Sequence, residues 1–239
     1  MSIAEKLTTI AENEPKIFDK GKQDEYDRFW DEFQQNGNRR TYAYGISGIG
    51  WTVETFKPKY DLIATDSATF MFCTSAIRGN LGEILEELGV KLDTTGCTAM
   101  SYMFRTAQFT VLPTIDCRAC SALTYLFANM PYLTTIEKWI LPTTSSQNFA
   151  SAFLSTDKLT DINEIEGTFI ASIDFSSSPL SVATMKRIIG HLKNFSGTNK
   201  DGANSIKFPA DRWEALEADS SAPDGGTWEA YVLNLGWTK

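Results

Sequence analysis

The chain has 239 residues, 42% of them hydrophobic with 15 Phe and 6 Trp, which suits one large domain, or a small domain beside a longer one, and is too apolar for disorder. Lys and Arg number 22 against 30 Asp and Glu, and no Lys/Arg cluster is large enough to follow a phosphate backbone, so nucleic acid and anionic membrane are poor partners. The opening residues Met1, Ser2, Ile3, Ala4, Glu5 and Lys6 show no basic segment ahead of an apolar one, and no apolar run approaches the ~20 residues of a membrane span. The expectation is a product made in the cytoplasm without a signal peptide, and without membrane insertion.

Residues 1–35 read as a helical segment broken near Pro15: Ile3, Leu7 and Ile10 recur at helical spacing, and Tyr26, Phe29, Trp30 and Phe33 do so again. The first stripe could seed a weak homo-oligomer, but it is too short for a persuasive coiled coil. The second is better explained by packing on the neighbouring domain. Residues 36–65 read as an N-terminal cap, with Tyr42, Tyr44, Ile46, Ile49, Trp51 and Val53 punctuated by Gly45, Gly48 and Gly50. Trp51 could stack on a sugar or serve as a buried cap aromatic.

From Asp66 the chain repeats itself. Asp66-Ser-Ala-Thr-Phe-Met-Phe72, Thr98-Ala-Met-Ser-Tyr-Met-Phe104, Ser121-Ala-Leu-Thr-Tyr-Leu-Phe127 and Gln147-Asn-Phe-Ala-Ser-Ala-Phe153 align without gaps, and their closing phenylalanines lie 32, 23 and 26 residues apart. Periods of this size belong to solenoids of strand-bearing coils. A second block begins at Leu92-Asp93, Ile115-Asp116 and Leu141-Pro142, with a fourth, blurred member at Ile173-Asp174. Each block offers a strand too small to stand alone, so the coils must stabilise one another and the ends need capping.

Residues 82–89 read as a short helix with Ile84, Leu85 and Leu88 on one side, and residues 181–195 as a stronger one with Val182, Met185, Ile188, Ile189 and Leu192 as its stripe. Ser181 can cap its start and Gly197 can end it. The solenoid is thus expected over residues 66–197. Residues 198–239 follow as a C-terminal cap: a strand with Ile206 and Phe208, a helical turn over 213–216, a Ser/Pro/Gly loop, and a helix over 227–235. Trp213, Trp228, Tyr231 and Trp237 would close the open end of the core.

Leu112, Ile115, Cys117, Cys120 and Leu123 fit the leucine-rich pattern L-x-x-L-x-L-x-x-N/C-x-x-L. The sequence resembles the bacterial surface-protein type of leucine-rich repeat, whose Ala/Ser-x-x-Met-Phe element is matched by Met71-Phe72, Met103-Phe104 and, with Leu for Met, Leu126-Phe127. More closely it resembles phage- and prophage-encoded leucine-rich-repeat proteins of Gram-positive hosts, through Ser2 to Leu7, Ile10 to Glu14, the Leu180 to Leu192 segment and the closing Asn234-Leu235-Gly236-Trp237-Thr238. The resemblance implies an α/β leucine-rich-repeat solenoid with short parallel strands, an N-terminal helix and a C-terminal cap. It also implies a virion-associated or host-contact role, and it carries no catalytic residue. Uneven spacing, the helix at 82–89 and the drift at Ile173 depart from a regular member and argue against a long uniform binding face.

Cys117 and Cys120 have the spacing of a redox or half-zinc motif. Zinc wants four ligands, however, and His191 is the only histidine. Aligning Cys120 with Cys97, Thr143 with Cys117 and Ser146 with Cys120 makes these small corner fillers, with a disulfide or a metal as the alternatives. Asp93, Asp116 and Asp174 should point outward in a column, readable as a solvated strip, as an acidic face for a basic or calcium-bridged partner, or as glycosidase carboxylates. His191 sits where the helix dipole favours it, with no nucleophile to serve. No dinucleotide, phosphate-loop or zincin motif is present, so neither catalytic residues nor a cofactor or metal site is expected. The leading expectation is a non-catalytic module contacting a protein or glycan, using outward positions Thr69, Ser101, Thr124 and Ala150. The alternatives are a structural or oligomerising spacer and a glycan-active enzyme.

Overall fold

The computed structural model describes Arg28, Trp30, Glu32 and residues 56–239. The first helical stripe (Ile3, Leu7, Ile10), Trp51 and most of the expected N-terminal cap lie outside the described residues.

The strands are β1 (Leu62–Ile63), β2 (Gly79–Asn80), β3 (Leu92–Asp93), β4 (Phe109–Asp116), β5 (Thr135–Ile140), β6 (Asp161–Glu166), β7 (Ile173–Asp174), β8 (Asn204–Lys207) and β9 (Trp237–Thr238). The helices are α1 (Leu81–Glu87), α2 (Val182–Gly190), α3 (Ala210–Asp219) and α4 (Trp228–Asn234). Among the described residues every pairing between these strands is parallel, in the orders β1-β3, β2-β4-β5-β6 and β7-β8-β9. A chain that always returns in the same direction beside its previous strand winds as a parallel-strand solenoid.

The longest sheet shows why these residues make coils. Leu112 and Ile115, Ile136 and Trp139, and Ile162 and Ile165 point into the core from β4, β5 and β6, each pair separated by two residues instead of one. The pairing register passes over Pro113, Glu137 and Asn163, the residue after the first inward one in each strand. Proline has no N–H to offer a ladder, so it fits there without losing a bond.

Away from these strands the coils turn through a second corner, built from left-handed backbone and not from extended chain. Phe70 and Thr74, Tyr102 and Thr106, Tyr125 and Asn129, and Ser151 and Ser155 all have φ between 53 and 62°. Each of these coils therefore carries two left-handed residues four apart, none of them glycine. Alternate amides in the corner donate to the next coil: Phe70 to Ser101, Phe72 to Met103 and Thr74 to Arg105, then Tyr102 to Thr124, Phe104 to Leu126 and Thr106 to Ala128, then Tyr125 to Ala150, Phe127 to Ala152 and Asn129 to Leu154. The amides between them close short turns within the coil, as in Met71 to Ala68 and Cys73 to Phe70. Left-handed backbone at a non-glycine residue costs roughly 1–2 kcal/mol, and the inter-coil bonds offset it by leaving few corner amides unmatched.

The phenylalanines line up. Ring centroids of Phe72 and Phe104 are 5.5 Å apart, Phe104 and Phe127 6.0 Å, and Phe127 and Phe153 5.1 Å. The row runs further than the repeat alignment reaches, through Phe175 at 4.5 Å and Phe208 at 5.8 Å. At the other end Phe56 meets Phe72 at 6.1 Å and Trp30 meets Phe56 at 5.5 Å, both edge to face. Trp30 is fully buried while Arg28 and Glu32 are exposed, so this aromatic of the second N-terminal stripe packs on the solenoid.

The ends are closed by side chains. α2 begins at Ser181, whose hydroxyl accepts from the Thr184 amide, and it ends at His191, before the expected Gly197. Thr184 Oγ1 accepts from the Ile162 amide at 3.3 Å, and Arg187 donates to the Ile162 carbonyl at 2.5 Å, which occupies the edge of β6. Trp213, Trp228 and Trp237 are buried in the C-terminal cap, and Phe208 meets Trp213 at 5.2 Å. The helical turn expected over 213–216 extends to ten residues as α3, and Trp237 and Thr238 pair with β8 as a strand.

Two alignments are corrected. The Cys117 amide donates to Ile140 and the Leu141 amide to Glu166, so Leu141, and not Thr143, stands in the place of Cys117. Cys120 and Ser146 do correspond, because Ala122 bridges Asn148, and so the third coil carries two extra residues between these positions. Gln147 fills the widened corner, donating to the carbonyls of Pro142 and Thr168 and accepting from the Ile170 amide. The strand expected from Leu141 instead ends there as β5, and β6 falls where the sequence offered no strand signal. Ile173-Asp174 is likewise not a member of the second block: the Phe175 ring packs tilted by 39° against Phe153, and Ser178 meets Thr156 at 2.6 Å, so this segment continues the phenylalanine element.

Candidate functional site

The cysteines belong to the core. Cys73, Cys97, Cys117 and Cys120 are buried and form no disulfide, and Cys120 Sγ lies 2.8 Å from the Cys97 carbonyl. Burial pushes the Cys117 thiol up. The hydrogen bond with Cys97, and then burial, push Cys120 up. Thiols held neutral in this way are poor nucleophiles and poor ligands. Among the described residues no group of three His, Cys, Asp or Glu side chains is placed to hold a metal ion.

The aspartates do not form one column. Asp93 and Asp116 occupy equivalent places, whereas Asp174 precedes Phe175 in the phenylalanine element. Contrary to expectation, Asp116 is buried, bound by the Arg118 amide and Nε at 3.0 Å and by its Nη2 at 2.8 Å. Asp93, Asp116 and Asp174 each accept from the amide two residues on, at 2.9, 3.0 and 2.8 Å, so each closes a local turn. His191 lies 2.6 Å from the Gly167 carbonyl through Nδ1, a contact that ties the end of α2 to the preceding coil.

What the coils do bring together is an aromatic ladder on the left-handed corner. Phe70 stacks on Tyr102 at 4.6 Å with 5° between the ring planes, and Tyr102 on Tyr125 at 5.0 Å with 9°. All three are half-buried. The next coil has Ser151 in this place, so no ring follows Tyr125. Arg105 reaches across, its guanidinium carbon 5.7 Å from the Tyr102 centroid and 5.9 Å from that of Tyr125. The backbone explains the arrangement: a left-handed residue points its side chain away from the core, and equivalent coils set successive rings one above another.

The expected outward positions sit directly beside this ladder. Thr124 donates to Ser101 at 2.9 Å, Thr69 accepts from Ser67 at 3.1 Å, and Ala150 is exposed where the hydroxyl row stops. Sequence reasoning missed the rings themselves, although Phe70, Tyr102 and Tyr125 each stand two residues before a row phenylalanine. That spacing was the available signal.

Elsewhere an open groove of about 490 Å³ runs between α1 and the outer side of β3 and β4, lined by Leu85, Val90, Leu92 and Pro113 with Glu86 and Lys91 at its rim. The outer face of β5 and β6 is occupied by its own charges, Lys138 lying 3.5 Å from Glu164 and 3.2 Å from Glu166. Of these surfaces only the corner combines π faces, hydroxyls and a guanidinium.

The class defined by the fold is thus a parallel-strand β-solenoid with few helices, bearing an aromatic and hydroxyl ladder along one corner. No family model, no curated protein and no solved structure matches the chain. Among the described residues no helix is long and apolar enough to cross a membrane.

Proposed function

We propose that the protein is a non-catalytic binding module that contacts a protein or glycan surface through the corner carrying Phe70, Tyr102 and Tyr125. The observation that carries this reading is the half-exposed ladder itself, in which three rings stack one above another at left-handed positions on successive coils. Tyrosine supplies large contact area with few rotors to freeze, and the flanking hydroxyls of Ser101 and Thr124 offer directional polar contacts. The resemblance to phage and prophage leucine-rich-repeat proteins suggests the setting, a virion-associated or host-contact component.

Binding of the full chain to Gram-positive envelope material and to purified phage tail proteins tests the proposal. Saturable binding that falls at least tenfold in a Tyr102→Ala/Tyr125→Ala double variant is the expected result. An unchanged affinity in that variant, or no binding to any of these materials, overturns it.

The unbroken ring column would also serve a structural spacer, and residues 1–35 would then be the place of self-association. Light scattering of the full chain against a version lacking those residues separates the readings: a monomer in both removes the oligomerising role. Because Trp30 covers Phe56, the shortened chain must first be shown to keep its fold.

A further inference from the structure

A second tyrosine on the same coil carries more than its own hydroxyl. Arg78 immediately precedes Gly79, which pairs with Phe109, and the register continues from Val111 to Thr135 and from Thr135 to Asp161. Counting back along each strand places Arg78, Gln108, Tyr132 and Lys158 at one position on four successive coils. Arg78 reaches past Gln108, and its guanidinium carbon lies 3.7 Å from the centre of the Tyr132 ring. Lys158, from the coil on the other side, brings its ammonium to 5.1 Å from the same centre.

Two cations converging on one ring repel each other, and the usual remedy is a carboxylate. The chain has 30 acidic residues to supply one. Lys138, Lys186, Lys207, Arg212 and Lys239 each take such a partner. Arg78, Lys158 and Arg105 take none among the described residues, and Arg105 Nε is buried without a hydrogen-bond acceptor. Tyr132 is therefore a spacer between two positive charges whose balancing anion is not provided by the described part of the protein. Tyr125 and Tyr132 are seven residues apart on one coil, hence no more than about 25 Å from each other, so one extended ligand can touch both.

Resting on the binding role proposed above, we infer that its ligand is an anionic glycan: sugar rings meet the end of the ladder at Tyr125 beside Arg105, and an oxyanion of the same chain meets the Arg78 guanidinium and the Lys158 ammonium at the edge of the Tyr132 ring. Phosphate, sulfate and carboxylate share the needed chemistry, with the planar guanidinium taking two oxygens and the ammonium a third contact. The contact with the Tyr132 face holds the guanidinium in place for that geometry.

The test uses the full chain and three probes: inorganic phosphate, a heparin-derived tetrasaccharide and a neutral chitin-derived tetrasaccharide. By NMR, phosphate is expected to shift the Arg78 Nε–H and Tyr132 ring signals saturably, and an Arg78→Gln/Lys158→Gln variant, which alters only exposed side chains, is expected to abolish the shift. The sulfated tetrasaccharide should bind at least tenfold more tightly than the neutral one at low salt, and the same variant should erase that margin while leaving neutral binding as it was. Arg78→Lys, which keeps the charge and loses the fork, should fall between. No saturable phosphate shift, or an anionic preference that survives the double variant, overturns the inference. A phosphate shift without any preference for the sulfated chain marks an ion site only and also overturns it. Loss of the wider binding role reads differently, as neither tetrasaccharide responding to Tyr125→Ala.

Discussion

At Ser155, φ is 53° and the side chain is exposed, so its left-handed conformation is held by its neighbours and not by anything the serine itself contributes. Glycine relieves the steric cost of roughly 1–2 kcal/mol but gains freedom in the unfolded chain worth about 0.4–1 kcal/mol. Ser155→Gly is therefore expected to stabilise by about 0.5 kcal/mol, measured as a raised urea midpoint at constant m. Gly236 is the opposite case. Its φ is +79°, and a Cβ there would stand 2.8 Å from Asp201 Oδ1 and 2.9 Å from the backbone of Phe195 and Ser196. Gly236→Ala should destabilise by more than about 2 kcal/mol, with loss of protection for the Trp237 indole, which donates to the Lys193 carbonyl at 2.7 Å. A neutral effect of this substitution would contradict the close approach. Left-handed tyrosine, threonine and serine carry no mark in sequence, which is why the corner was hidden there while the phenylalanines that follow it were not. The role of Cys120 as a corner filler was legible because Cys97 repeats it. That of Cys117 is packing, as its surroundings in the sequence suggested, but against a different partner, since two inserted residues shift the alignment.

Among the elements, the junction of β6 and α2 shows how a strand edge is sealed. Asp161 receives the Ser181 hydroxyl at 2.7 Å and that of Thr184 at 3.3 Å. Burial alone would raise its carboxyl, but the hydroxyls of Ser181, Thr160 and Thr184 outweigh it and hold the group below the usual carboxylate range. A carboxyl so depressed adds stability above its unfolded value, near pH 4, and withdraws it as pH falls through the folded value. Asp161→Asn should accordingly weaken the fold at neutral pH and flatten its loss of stability below about pH 4. An acid transition of unchanged steepness would show that other groups govern it. Both central helices were readable from their apolar stripes, and the second also from Ser181 as its cap; Asn80 caps the first. β6 was not, because Asp-Ile-Asn-Glu-Ile-Glu spaces its inward residues by three, and its four polar positions look like a loop to any test for strict alternation.

For the molecule as a whole, the aromatic row is the common wall. Phe127 touches Phe104, Phe153 and Trp139, at 6.0, 5.1 and 5.8 Å. Phe127→Ala should cost about 3–5 kcal/mol, and because each coil rests on the next, the loss should lower a single unfolding transition, seen by circular dichroism and by hydrogen exchange on both sides of the substituted coil. Cutting the chain after residue 197 would bare Phe175, which stacks on Phe208. The expected outcome is a chain that aggregates by light scattering or melts well below the intact protein, and a monomer of undiminished melting temperature would deny the tail its capping role.

The one-way hydrogen bonding of the corner has a bearing on how such a protein changes over time. Because the coils that begin this corner at Phe70, Tyr102 and Tyr125 hand their alternate amides forward to a neighbour with an equivalent set of carbonyls, a duplicated coil spliced between two of them would find donors waiting below and acceptors above. Length is then a quantity that gene duplication can adjust in single steps, and only the plugs at either extremity say where the winding stops.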